Sequence, residues 1–413
     1  MRIWAIAAAV TCGCVVVQSP APPPPRAPLV VQPRPQPRPR PEPQPLALAE
    51  PTSSCATSAT AREIVPASSF PNGARAFASE RGIEVFWNQQ PGLGQSQFWL
   101  EHRAFSPAGE PLGPPTKILD TMMRWAAAGE RGTFAIVNPA GGGAWKIAAL
   151  HLGNAQPLWT AAMPAGNDYN NFAIAWDPDH AQWVIVAEQR IASFDHNHDR
   201  FRLVTARLSR DGAWADSPAF ISPELEHATL SDWGAPLVHA DHRMAVVWEQ
   251  SAMTGHDRSL HVTELYPGRT VDFVVARGTA VSFRTVLAWA NGGYVIAGAT
   301  FPQSLTDSRV FVARLRDGVA TPTQIVSSPD RYGGEPLLAS DGTRVALAWN
   351  EQDATHTTSA HSAVLDERGG MSAHFASSGG VGQTDFTQAL VAGRCGFTFV
   401  FTAGINPSAL VLH

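Results

Sequence analysis

The densest run of metal-ligating side chains is Asp195-His196-Asn197-His198-Asp199. Its His-x-His spacing suits zinc or copper, and its Asp-x-Asn-x-Asp spacing suits calcium. The calcium version lacks the glycine that turns such a loop, because Arg200 stands there, and the late glutamate, because Ala206 stands there. Asp195, His196, His198 and Asp199 are therefore candidate ligands for calcium or zinc, with His256, Asp257, Asp353 and His356 as helpers from equivalent loops. A solvated polar turn is the competing reading. Candidate acids for hydrolysis are Glu188, Glu249, Asp232 and Asp385. A retaining glycosidase would need two carboxyl groups about 5 Å apart, an inverting one about 6.5–9.5 Å. Serines and histidines are too scattered to assign a nucleophilic triad.

Glu188 and Glu249 belong to a phrase that recurs along the chain. Val85-Phe86-Trp87-Asn88, Val246-Val247-Trp248-Glu249 and Leu347-Ala348-Trp349-Asn350 each run a hydrophobic strand into a large residue and then an amide or acid. Weaker copies stand at Ile136-Val137-Asn138, Val186-Ala187-Glu188, Ala297-Gly298-Ala299 and Val400-Phe401-Thr402. The anchors at 87, 137, 187, 248, 298, 349 and 401 step by about fifty residues, with one longer interval. Short strands repeating on that scale predict an all-β chain, a seven-bladed β-propeller. The fifth repeat parses into strands at 285–288, 294–297, 310–315 and 323–326, with turns at Asn291-Gly292-Gly293 and Asp317-Gly318. The seventh supplies only three, at 389–391, 397–401 and 409–412. Residues 61–66 resemble the outer strand 322–326 and are expected to complete that blade, removing an open sheet edge.

In such a ring the loops between second and third strands share a face with the blade-to-blade connections. That face gathers Asn88-Gln89-Gln90, Glu188-Gln189-Arg190, Glu249-Gln250 and Asn350-Glu351-Gln352. It also receives Phe70, Trp125, Phe172, Trp233, Phe283, Tyr332 and Phe386 from the junctions. Acids and amides there could hold sugar hydroxyls or a cation, and flat rings could stack on sugars or peptides. Trp233, Tyr332, Trp125, Glu188, Glu249 and Glu351 are the candidate ligand-binding residues. Strand capping and packing between blades would explain both sets without a ligand.

The N-terminus reads as an export signal, Arg2 followed by an apolar run from Ile3 to Val17 that is short for a bilayer span of about 20 residues. Thr11-Cys12-Gly13-Cys14 resembles a bacterial lipobox, which implies lipidation at Cys14. Val15 rather than Asp after it implies an outer-membrane lipoprotein, with periplasm or secretion as the alternative. Proline then alternates with Gln, Arg or Glu, a composition that favours an extended stalk about 90 Å long. The expected layout is a signal and lipobox at 1–18, a Pro-rich disordered linker at 19–54 and the propeller at 55–413. Of four cysteines, Cys12 and Cys14 belong to the signal, leaving Cys55 and Cys395 to pair in an oxidising compartment.

Repeats and export signal together resemble bacterial secreted or lipoprotein seven-bladed β-propellers over roughly residues 60 to 413. The resemblance is architectural and implies no reaction. Ser209-Arg210-Asp211-Gly212-Ala213-Trp214 comes near a sialidase Asp box, but once only and one residue short. Of the net charge of −5, the first fifty residues hold five arginines against two glutamates, so the remainder carries −8. That argues against a nucleic-acid partner, which requires basic surface. The sequence thus predicts a monomeric cell-envelope binding or scaffolding protein for a protein or glycan, touching the membrane by its lipid anchor alone. A glycan hydrolase or lyase is the alternative.

Overall fold

Strands such as Gly82–Gln90, Gln182–Ile191 and Val345–Gln352 are apolar along most of their length and buried on both faces. A strand of that kind needs cover on each side. The computed structural model supplies it by standing sheets side by side. It describes residues 70–412 apart from 92–96, 131, 140–143, 153–155, 164–167, 192–199, 226, 232–233, 252–257, 279–283, 301–306, 378–385 and 404–405.

In the first sheet Phe70–Ser79, Gly82–Gln90, Trp99–Phe105 and Thr116–Leu119 pair antiparallel in chain order. The described strands make seven such sheets, of which six have four or five strands and form complete blades. The last, Phe386–Gly393, Gly396–Ala403 and Asn406–Leu412, has three. The expectation of seven complete blades is therefore corrected to six complete blades and one three-stranded sheet. The last repeat brings only three apolar segments, and residues 61–66, expected to add the fourth, lie outside the described residues.

The cores lie between the sheets. Phe86 and Leu100 of the first blade pack with Phe134, Ile136 and Leu150 of the second. Val137 and Ile147 of the second pack with Trp183 and Ile185 of the third. Ile83, Val85 and Trp87 meet Ala389 and Val400 of the last sheet, so the first and last sheets adjoin. There the Ala74 N–H donates to Gln388 Oε1 at 3.2 Å. Asn88 stitches the first two blades, accepting from the Met123 N–H at 2.7 Å and donating to the Met123 carbonyl at 2.8 Å.

The hairpins in the fifth blade use the turns the sequence marks. Asn291 and Gly292 have φ of +50° and +75°, and Asp317 and Gly318 have +52° and +75°. Two successive left-handed residues match the right-handed twist of paired strands. Cys395 sits in the turn between Phe386–Gly393 and Gly396–Ala403, while Cys55, Cys14, the signal and the linker lie outside the described residues.

Candidate functional site

On the face where second strands end, the entries of the first three inner strands surround a hollow of about 380 Å³. Arg75 comes from Phe70–Ser79, Arg124 and Trp125 from the start of Trp125–Ala128, and Asn170 and Asn171 from Asp168–Asp177. Trp145 and Tyr169 complete the aromatic part of the wall. Arg124 is exposed, and its carbonyl lies 3.4 Å from Arg75 Nη2. Trp125 is 6% exposed and packs against Trp145 and Phe172, with ring centroids 5.4 and 5.2 Å away. Its indole N–H is buried and has no acceptor among the described residues. An unmatched buried donor costs about 1–3 kcal/mol.

Glu188, expected at the site, lies beneath it. It is 5% exposed, and its oxygens accept from Asn170 Nδ2 at 3.3 Å and Asn171 Nδ2 at 3.2 Å. Its role is to hold the two amides that line the hollow. The sequence reading missed Arg75, Arg124, Asn170 and Asn171. They stand at inner-strand entries, where the repeats share no residue type; the only signal was their position ahead of each apolar strand.

The other expected ligand residues are spread around the ring. Glu351 is 2% exposed and accepts from the Trp349 indole N–H at 2.9 Å, the Ser328 N–H at 2.9 Å and the Ser328 hydroxyl at 2.7 Å. It is a structural carboxylate. Burial pushes its pKa up, but the donors and His361 outweigh that and hold it below the ordinary value. Glu249 is 3% exposed, and Oε2 has no hydrogen-bond partner among the described residues. Arg258 Nη1 lies 3.6 Å from its other oxygen. Burial pushes Glu249 up to about 8 against that attraction. Tyr332 is half-buried, and burial raises its hydroxyl pKa. Close to it, Arg284 Nη1 donates to Glu335 at 2.9 Å, and Glu335 also accepts from Asn350. Glu249, Glu351 and Phe172 are thus interior groups. Trp233, Asp232, Asp385, Asp195, His196, His198 and Asp199 lie outside the described residues.

No protein-family model and no curated protein matches the chain. Solved structures do. The β-propeller domain of the Trilobed protease from Pyrococcus furiosus, described as having an open velcro topology, aligns with a TM-score of 0.51 at 9% identity, covering 84% of this chain and 93% of that one. The fold is a β-propeller. An acylaminoacyl peptidase solved with Z-Gly-Gly-Phe-chloromethyl ketone aligns with the same TM-score and identity, covering 83% of this chain. The propeller spans about half of that peptidase, 51%.

One constellation in the propeller has the outline of a catalytic triad, which the sequence reading judged unassignable. Ser259 Oγ lies 2.8 Å from His261 Nε2, and His261 Nδ1 lies 2.7 Å from Asp272 Oδ2. Alternate positions on Arg258–Tyr266 put Ser259 and His261 on one side, and Arg269–Arg277 brings Asp272 across. The arrangement recurs without its acid in the sixth blade. There Ser359 Oγ is 2.8 Å from His361 Nε2, and His361 Nδ1 is 3.2 Å from His374 Nε2. Both imidazoles stack on buried indoles, Trp248 at 4.4 Å and Trp349 at 5.2 Å. A Ser-x-His pair stacked on an indole at equivalent positions of two blades has a structural reason to recur. Ser259 is accordingly expected to resist a fluorophosphonate probe; labelling of the parent that disappears in Ser259→Ala would reverse the assignment.

Proposed function

We propose that the propeller is a recognition module whose hollow, formed by the first three blades, binds an acidic group of a glycan or a protein. The lining of the hollow, two arginines beside aromatic rings and two asparagines, carries the reading. Arg75 and Arg124 add guanidinium groups suited to a carboxylate. Trp145 offers a flat face, and Asn170 and Asn171 supply amides for hydroxyls or a peptide. About 380 Å³ suits one sugar unit or one acidic side chain with its neighbours.

In this proposal the chain is exported, lipidated at Cys14 and held from the outer membrane by its Pro-rich stalk. A Cys55–Cys395 disulfide ties the segment ahead of the first blade to the last sheet. The hydrolase alternative has one supporting observation, the raised pKa of Glu249. At 3% exposure that carboxyl is poorly placed to reach a leaving-group oxygen.

The test is a binding screen of the whole protein against uronic-acid glycans and acidic peptides. Saturable binding should weaken at least tenfold in Arg124→Glu, and also in Asn171→Ala, which removes an amide from the wall. Binding that both variants retain in full would place recognition elsewhere. Turnover of the bound glycan would favour the hydrolase.

A further inference from the structure

The opposite face, where first and second strands are joined by hairpins, holds a second cluster that the sequence reading did not single out. Two turns from neighbouring blades meet there. Asp177 ends Asp168–Asp177 in the third blade, and Asp179 and His180 follow in its hairpin. His239 lies in Leu237–Ala240 of the fourth blade, and His242 stands in the turn into Arg243–Ser251. The sequence trace was Asp177-x-Asp179-His180 and His239-x-x-His242, one on each of two successive hairpins.

Asp179 Oδ2 lies 2.8 Å from His239 Nε2, and its Oδ1 lies 3.1 Å from His242 Nδ1. Asp177 Oδ2 lies 2.7 Å from His180 Nδ1, and its Oδ1 is 4.0 Å from His239 Nε2. Asp177 Oδ1 also accepts from the N–H groups of Asp179 at 3.0 Å and His180 at 3.3 Å, which fixes the turn. One ligand atom from each of Asp177, Asp179 and His239 fits within 4.8 Å of the others. Asp177 is buried, His239 is partly so and Asp179 is exposed, so the group reaches from the interior to the surface of the turn.

The partners matter as much as the distances. Every ion-pair partner of Asp177 and Asp179 among the described residues is an imidazole, with no guanidinium or ammonium opposite them. Imidazole nitrogen and carboxylate oxygen together are the donor set of zinc and neighbouring transition metals, whereas calcium takes oxygen.

We propose that Asp177, Asp179 and His239 bind a divalent transition-metal ion of the zinc class that ties the third blade to the fourth. Zinc bonds to nitrogen and oxygen are about 2.0–2.2 Å, which puts neighbouring ligand atoms about 3.4 Å apart in a tetrahedron. The observed 2.8 and 4.0 Å from His239 to the two carboxylates bracket that spacing, and all three ligand atoms lie within 4.8 Å of one another. His242 contacts the other oxygen of Asp179 at 3.1 Å from the exposed side of the turn, leaving the fourth position to solvent. His180 holds Asp177 in orientation through its other oxygen. The site is separate from the hollow on the other face, so it stands or falls independently of the recognition reading.

The experiment is a calorimetric titration of the full-length protein with Zn²⁺, with melting curves in Zn²⁺ and in EDTA. One ion per chain is expected to bind at micromolar or tighter affinity and to raise Tm, reversed by chelator. Affinity should fall at least tenfold in His239→Ala and in Asp179→Asn, and persist in the His196→Ala/His198→Ala double variant. Co²⁺ in place of zinc should give the visible absorption of a four-coordinate site, lost in His239→Ala. Should His239→Ala fail to fold, Asp179→Asn decides, since that side chain is exposed and the amide keeps its shape, so its loss of charge should weaken binding without unfolding the protein. No binding to the parent, or affinity unchanged in the folded variants, overturns the proposal.

Discussion

Glu249→Gln is expected to make the protein more stable in alkaline solution than its parent and to flatten the dependence of stability on pH. The carboxyl is buried beside Arg258, with one oxygen unmatched among the described residues, and burial pushes its pKa from 4.5 up to about 8. The folded protein therefore keeps a proton that the unfolded chain releases above pH 4.5. That contribution is complete below 4.5, declines as pH rises and is gone above about 8. Each pH unit across the window is worth about 1.4 kcal/mol, so the full span is on the order of 5 kcal/mol. Between pH 5.5 and pH 9 the variant should gain about 3 kcal/mol on the parent. Urea denaturation of both proteins at the two pH values measures it. Parallel pH dependences would mean that Glu249 is charged in the folded state.

Glu351→Ala is expected to act in the opposite direction, costing about 3–5 kcal/mol at neutral pH while leaving ligand affinity at the hollow unchanged. The substitution strands the buried Trp349 indole donor and removes the acceptor of both part-buried Ser328 donors. Because the folded pKa of Glu351 is held below 4.5, its stabilisation is present above that pH and is lost as pH falls through the folded value. The deficit of the variant should therefore narrow in acid. His361, whose pKa burial lowers, resists the proton an unfolded imidazole accepts, which adds to the acid sensitivity of the same blade. Chemical denaturation at pH 7 and pH 4 would show the narrowing. A stable variant with weakened ligand binding would instead return Glu351 to the recognition surface.

These two acids show where sequence reasoning held and where it ran out. The apolar strand ahead of each anchor was legible because burial on both faces demands a continuous hydrophobic run, and Trp87, Trp248 and Trp349 are buried as that demands. The turns at Asn291-Gly292 and Asp317-Gly318 were legible because a left-handed backbone selects those residue types. The polar residue after each anchor was ambiguous. A buried cap such as Glu351 and a ligand contact look alike in one dimension. Arg75, Arg124 and the Asp177–His239 cluster were invisible for another reason. Each is assembled across a blade boundary from residues about fifty or more apart, and no local spacing records which turns meet.

The placement of every core between sheets has a consequence for cooperativity. In a linear array of repeats the end units have one neighbour each, and fraying begins there. Here the first and last sheets share a core, so neither is an end unit in that sense. Melting any one sheet uncovers apolar faces on two others, and local opening is penalised on both sides. The surface loops, which contribute little to those cores, can then vary in sequence without loosening the ring. This separates what holds the molecule together from what it presents to a partner.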